Sequence, residues 1–246
     1  MIRFIIYSIA LSLFWACTPQ NDAQQIIDKA IEKAGGKKYQ NSTIQFVFRD
    51  HSYQVKRNAS HFSMIRKKIT DSITVVDEIN AASFQRKVNG KEVTVPDSMV
   101  FKYRESINSV IYFALLPYRL NDPAVNKEYL SETEIKGEKY HAIKVSFSKE
   151  DGGVDFQDVY VYWFHTKTFN MDYLAYSFEV NEGGYRFREA YNRRTVGGIQ
   201  FADYVNYKPI EQPTSVEDLS RLFLEEKLKV LSKIELKDIS VSSPAS

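Results

Sequence analysis

Four histidines, His51, His61, His141 and His165, are the first place to look for metal or acid–base chemistry. No two of them stand at the close spacing of a helical zinc motif, and a single cysteine cannot complete a thiolate site, so no metal is expected. No GxSxG turn is present to expose a nucleophilic serine. Two carboxylate pairs, Glu179 with Glu182 and Asp151 with Asp155, flank glycine-containing turns. Paired carboxylates hydrolyse glycosides only when they face each other across a cleft, and solvated loop positions are the simpler reading. The densest polar cluster is YRFREAYNRR. On a strand, Tyr185, Phe187, Glu189, Tyr191 and Arg193 would share one face, with Arg186, Arg188, Ala190, Asn192 and Arg194 on the other. Two readings are open. One is an exposed edge with cross-strand ion pairs to Asp203 or Glu179. The other is a cavity mouth, where Arg188 and Arg193 grip a carboxylate or phosphate while aromatics such as Tyr191 contact an apolar body. Arg49, after the run Phe46–Phe48, and Trp163, in VYVYWFH, are weaker ligand-binding candidates, and Trp163 reads equally as core.

The lone cysteine, Cys17, closes an apolar run. Arg3 precedes Phe4–Trp15, which is long enough for a signal-peptide core and short of the ~20 residues that span a bilayer. Ala16 followed by Cys17 resembles the lipobox of bacterial lipoproteins, with Phe14 and Trp15 where the family prefers leucine and a small residue. The resemblance implies cleavage before Cys17, acylation of its thiol and new N-terminus, and a membrane anchor. The division expected is a signal peptide over 1–16, a lipidated tether over 17–21, one β-rich domain over 22–242 and a disordered tail over 243–246. An ordinary secretory signal, or an uncleaved anchor, with an incidental cysteine is the competing reading.

The net charge of +2 over 246 residues, without a long like-charge block, implies no nucleic-acid partner. Sixteen Tyr and 16 Phe, with 10 Gly and 7 Pro, suit an ordered β-rich chain. In DAQQIIDKAIEKAGG the apolar residues Ala23, Ile26, Ile27, Ala30, Ile31 and Ala34 recur at helical spacing, with Asp22 as N-cap and Gly35 as stop. Alternating strands then run from Ser42 to Val95, with Asn89-Gly90 as a hairpin turn. After Pro96 the period becomes helical, with Val100, Tyr103, Ile107, Val110, Ile111 and Ala114 on one face and Pro117 as terminator. Asp122-Pro123 is read as opening a short helical turn through Tyr129. Strands resume, with Lys136-Gly137 as a turn and glycine pairs at 35–36, 152–153, 183–184 and 197–198 closing elements. None of the glycines forms a phosphate-binding fingerprint, and no cofactor is expected. Ser215–Leu231 is read as a helix with Ser215 and Asp218 in a capping box and Val216, Leu219, Phe223 and Val230 on its apolar face. KIELKDISV is read as the last strand.

The fold class expected is mainly β (α+β): one curved antiparallel sheet or half-barrel with a few helices on its concave side. VYVYWFH and DYLAYSFEV are apolar on both faces, so both sides of these strands must be covered. Either side chains fill the space, or an aromatic-lined cavity remains.

The stretches NSVIYFALLPYRLNDPAV, DVYVYW, DYLAYSF and EGGYRFREAYNRR resemble an uncharacterised family of Bacteroidetes-type envelope lipoproteins. That family is similar in architecture to outer-membrane lipoprotein carriers and receptors of the Lol type, half-barrels with a hydrophobic cavity for acyl chains. The two-face-apolar aromatic strands and enclosed helices, with this likeness of architecture and the lipobox, lead to the expectation of a non-catalytic, lipid-anchored envelope protein that binds a lipid or lipoprotein acyl chain. TPQND after Cys17 carries no clear acidic surface-export signal, so it is expected at the outer membrane facing the periplasm. Docking of another envelope protein is the first alternative, and hydrolysis of glycans or lipids the second. Asp71-Ser72-Ile73 and Asp97-Ser98-Met99 resemble the Bacteroidetes O-glycosylation pattern, which would place sugars on Ser72 and Ser98.

Overall fold

Among the described residues a helix, six strands, a second helix and eight further strands, with a short third helix before the last two, follow one another. The computed structural model describes residues 19–80, 83–148, 157–179 and 183–244. Helix α1 (Pro19–Ala34) leads into β1 (Ser42–Phe48), β2 (His51–Arg57), β3 (Phe62–Ile69), β4 (Thr74–Asn80), β5 (Phe84–Val88) and β6 (Lys91–Val93). Helix α2 (Asp97–Ala114) precedes β7 (Val125–Ile135), β8 (Glu138–Phe147), β9 (Val159–His165), β10 (Met171–Phe178), β11 (Gly184–Val196) and β12 (Ile199–Pro209). Helix α3 (Leu219–Leu224), β13 (Leu228–Ile234) and β14 (Lys237–Ser242) end the fold.

The strands form two curved antiparallel sheets of seven, in the orders β14-β1-β2-β3-β4-β5-β6 and β13-β12-β11-β10-β9-β8-β7. The mainly β, antiparallel class expected from the sequence is therefore the one observed, but the expected single sheet is divided. Glu235 and Leu236 carry the chain from the edge of one sheet to the edge of the other.

Both faces of β9 and β10 are covered, as their composition requires. Tyr160, Tyr162, Phe164 and Leu174 meet Ala23, Ile26, Ile27 and Ala30 of α1. Val161, Trp163, Tyr173 and Phe187 on the other face meet Val216 and Leu219, with Phe223 packed against them. The first sheet has its own core, in which Ile107 and Ile111 of α2 pack with Ile44, Phe46 and Val55. Full burial of each such side chain contributes about 1.5–3 kcal/mol, which is what fixes the helices to the sheets.

Four local expectations are corrected. Helix α1 already includes Pro19–Asn21, so Asp22 is not its N-cap. Tyr129 lies in β7, because only Tyr118–Asn121 makes a 3-10 turn before the strand begins at Val125. The helix expected over Ser215–Leu231 is a 3-10 turn, Val216–Asp218, plus α3, and it stops at Leu224. The capping box of Ser215 and Asp218 is present, but Glu226 takes a left-handed φ of 57° and the chain turns into β13, leaving Val230 exposed. KIELKDISV is split between β13 and β14. Gly152-Gly153, Asp151, Asp155 and Glu182 lie outside the described residues.

Candidate functional site

Between α2 and the second sheet lies a cleft of about 400 Å³. Its wall is a run of aromatic rings. Tyr160 and Tyr176 stack at 5.4 Å between centroids, and Phe113 of α2 approaches Tyr176 at 5.6 Å and Tyr160 at 6.2 Å. Phe178 continues the run at 6.0 Å from Tyr176, and Tyr204 of β12 lines the floor. Phe48, the last residue of β1, and Arg49, in the turn to β2, close the cleft from the first sheet. Burial pushes the Tyr204 hydroxyl up to about 12 and raises Tyr162, beneath the wall, well above its ordinary value, so both are neutral at physiological pH.

Arg188 of β11 is the charged group set into this wall. Only 8% of the residue is exposed. Its guanidinium carbon sits 4.1 Å from the centroid of Phe113 and 5.1 Å from that of Tyr176, and Nη2 donates to the Tyr176 hydroxyl at 2.9 Å. Its Nε is buried without a hydrogen-bond acceptor. Among the described residues no carboxylate makes an ion pair with it, whereas neighbouring Arg193 and Arg194 are paired with Asp172 and Asp203. A buried guanidinium without a counter-charge carries a desolvation cost that two ring faces offset only in part. The Asn206 side-chain oxygen, another lining group, is also buried without a donor. Arg186 lies over Phe178 at 4.8 Å, and exposed Arg49, with φ of 56°, lies over Phe48 at 5.1 Å. Asp158 supplies a carboxylate to the lining and accepts from the Tyr160 hydroxyl at 3.4 Å. The cleft thus offers rings to an apolar body and three guanidinium groups to an anionic one.

The structure brings together two of the ligand-binding candidates read from the sequence, Arg188 and Arg49, and places the other three elsewhere. Strict alternation along β11 fails at Asn192, whose φ of 47° marks a bulge between Tyr191 and Arg194. Arg193 therefore leaves the face of Tyr191 and donates to Asp172 at 2.6 Å, to the Met171 carbonyl at 3.0 Å and to Gln200 at 3.2 Å. Tyr191 donates to Glu235 at 2.8 Å, outside the cleft. Trp163 is fully buried on the opposite face of the sheet, 5.7 Å from Phe187. The expected cross-strand ion pair to Asp203 is present, made by Arg194 at 3.0 Å, but β11 is an interior strand, so the cluster is not an exposed edge. Ser72 and Ser98 are both exposed, and Cys17 lies outside the described residues. Sequence reasoning missed Phe113, Tyr176 and Tyr204 as a wall. The available signal was that Tyr176 and Arg188 fall on one sheet face once β10 and β11 are paired, with Leu174 opposite Arg188.

No group of three or more His, Cys, Asp or Glu side chains that could hold a metal occurs among the described residues. His165 has a structural post: Nδ1 accepts from the backbone N–H groups of Lys167 and Thr168 in the β9–β10 turn.

Residues 3–236 match the model of a family described as a family of unknown function (DUF6503), and the chain belongs to that family. No curated protein matches it. Among solved structures it is similar to a DUF1329 family protein from Desulfovibrio piger, at 11% identity over 93% of this chain and 95% of that one, with a TM-score of 0.53. It is also similar to a LolA superfamily protein from Nitrosomonas europaea (10% identity, 91% and 94% covered, TM-score 0.47). A third is a putative outer membrane lipoprotein-sorting protein domain from Vibrio parahaemolyticus (7%, 92% and 95%, 0.41). At these identities the first likeness establishes a shared fold and nothing about ligands.

Proposed function

We propose that this member of the family is a lipid-anchored protein of the bacterial envelope that binds an amphipathic, anionic molecule, such as a lipid or an acyl chain with its head group, without acting on it chemically. The observation that carries the reading is Arg188: a guanidinium more than nine-tenths buried, held between two aromatic rings, facing an aromatic cleft with an unused N–H donor. A ligand carboxylate or phosphate on Arg188 supplies the missing counter-charge, while its apolar body covers Phe113, Tyr160 and Tyr176. Asn206 offers its side-chain oxygen to a hydroxyl or amide of the same ligand. Arg49, at the mouth, guides the anionic group in.

The test is native mass spectrometry of the full chain isolated from its own membranes, followed by organic extraction and lipid analysis. A stoichiometric bound lipid that is lost from Arg188→Gln supports the reading. A clean unliganded mass that takes up no offered fatty acid or phospholipid overturns it, and a protein-docking role would replace it. The anchor is tested separately. Acylation at Cys17 is expected to incorporate labelled palmitate, and Cys17→Ser is expected to abolish the label. Persistent label in that variant would refute the lipobox reading.

A further inference from the structure

A second charged depression lies between the first sheet and the N-terminal half of α2. It encloses about 490 Å³ and is lined by His51, Arg66, Arg86, Lys102, Tyr103 and Ser106, among others. Its base is the buried carboxylate of Asp77, which faces Arg66 and Arg86 across adjacent strands in register. Arg86 grips both oxygens of Asp77, at 2.6 Å through Nε and 2.9 Å through Nη2. Arg66 donates to one of them at 3.2 and 2.8 Å, and its Nη1 reaches Ser106 Oγ at 3.1 Å. The Arg86 guanidinium carbon lies over Tyr103, 3.7 Å from the ring centroid.

One carboxylate therefore orients two guanidinium groups and neutralises only one of them. Lys102 on α2 is exposed and makes no salt bridge among the described residues. Asp50, next to the lining residue His51, is engaged by Lys68 at 2.5 Å and by His51 at 2.7 Å. With Asp77 and Asp50 set against Arg66, Arg86, Lys68 and Lys102, the depression keeps an excess of two positive charges even with His51 neutral. Rigidly held arginines, a ring behind one of them and a nearby hydroxyl make a geometry suited to phosphate, which accepts from planar guanidinium forks and from lysine together.

We propose that this depression is a phosphate-binding subsite, separate from the Arg188 cleft. Three exposed apolar side chains, Ile69, Ile73 and Phe101, stand within two residues of its lining residues Lys68, Val75 and Lys102. Apolar groups beside a phosphate site are what a phospholipid head group would meet at a bilayer surface. A free phosphate compound would use the polar groups alone.

The experiment titrates the full chain with inorganic phosphate, dihexanoylphosphatidylglycerol and hexanoate in separate calorimetric runs. Phosphate is expected to bind, and Lys102→Glu, on an exposed helix position that should leave the fold intact, is expected to weaken it by about tenfold or more, the loss of one charge-assisted contact. Phosphate binding lost in Arg188→Gln but not in Lys102→Glu would place the anion in the Arg188 cleft and overturn the proposal, so this subsite and the cleft can fail independently. Tighter binding of the short-chain phosphatidylglycerol than of phosphate, with the excess lost in Ile69→Ser/Phe101→Ser, identifies a lipid head group as the source. Equal affinities identify a free phosphate. No phosphate binding at millimolar concentration, or binding indifferent to Lys102→Glu, overturns the proposal.

Discussion

Arg188 and Asp77 are mirror cases of one electrostatic rule. Arg188 is a buried cation with no carboxylate paired to it among the described residues, so its removal should relieve a cost. Arg188→Met is expected to stabilise the unliganded protein by about 1–2 kcal/mol, roughly 2–6 °C in Tm, while abolishing ligand retention. Differential scanning calorimetry checks it, and a lower Tm would mean that the aromatic stack and the Tyr176 hydrogen bond outweigh the desolvation. Asp77 is a buried anion with two cations on it, so Asp77→Asn leaves the guanidinium groups uncompensated and should cost about 3 kcal/mol. The pH dependence has a definite sign. Burial alone would raise the Asp77 pKa, but hydrogen bonds and charge from Arg86 and Arg66 hold it below the ordinary 3.8. Its contribution is thus complete above about pH 4 and is lost as pH falls through the lowered value. Acid-unfolding curves of wild type and Asp77→Asn should be separated at pH 7 and converge towards pH 2. Sequence alone exposed one of these residues and hid the other. Arg188 stands out because an arginine alternates with aromatics in a single strand. Asp77 and its two arginines come from three strands, and only the register of the meander shows that Arg66, Asp77 and Arg86 are opposite one another.

At the scale of elements, the sequence was legible where a period was long and unbroken and illegible where one residue changed the backbone. Helix α2 runs from Asp97 to Ala114 with Ile107 and Ile111 buried, as its 3.6-residue spacing requires. The segment after Ser215 begins with a true capping box, yet its helix ends at Leu224, because LKVLSKI gains more by pairing with β12 than by extending one turn into solvent. In the same way a single left-handed Asn192 moves Arg193 to the other face of β11. The β11–β12 turn has a definite sensitivity. Gly197 and Gly198 take φ of 56° and 81°, and a Cβ on Gly197 would lie 2.6 Å from Cβ of Val241 in β14. The added methyl meets a second sheet through a strand and cannot be relieved by a rotamer change. Gly197→Ala is expected to cost about 1–3 kcal/mol, by left-handed strain plus overpacking. Gly198→Ala should cost less, since its Cβ would meet only the mobile end of Lys38. Urea unfolding of the two variants ranks them, and the reverse order would show that the turn, not the contact with β14, sets the penalty.

For the whole molecule, the division into two sheets is what leaves the aromatic cleft and the basic depression open at either end of α2. Helix α2 packs Ile107 and Ile111 on the first sheet and Tyr112 against the core of the second, so the stripe between them faces a gap. Lys102 and Ser106 of that stripe border the basic depression, and Ser109 and Phe113 border the aromatic cleft. These four positions recur at intervals of three or four residues and therefore lie on one face, spanning about 16 Å at 1.5 Å per residue. Sequence periodicity identified the two apolar edges of α2 as a single core stripe. It could not show that the edges serve different sheets, because that depends on where the chain crosses at Leu236. Ser109 is exposed and stands at the rim of the cleft, which makes it the position from which the cleft can be closed without disturbing the core. Ser109→Trp is expected to change Tm by less than about 1–2 °C, as surface substitutions usually do, yet to cut uptake of a fatty acid or phospholipid at least tenfold. If ligand enters the gap beside α2, this variant retains its phosphate binding at the basic depression and loses its lipid. If lipid uptake survives the tryptophan, the apolar body of the ligand lies elsewhere on the molecule, and Arg188 must then be counted as an internal strut held by Phe113 and Tyr176.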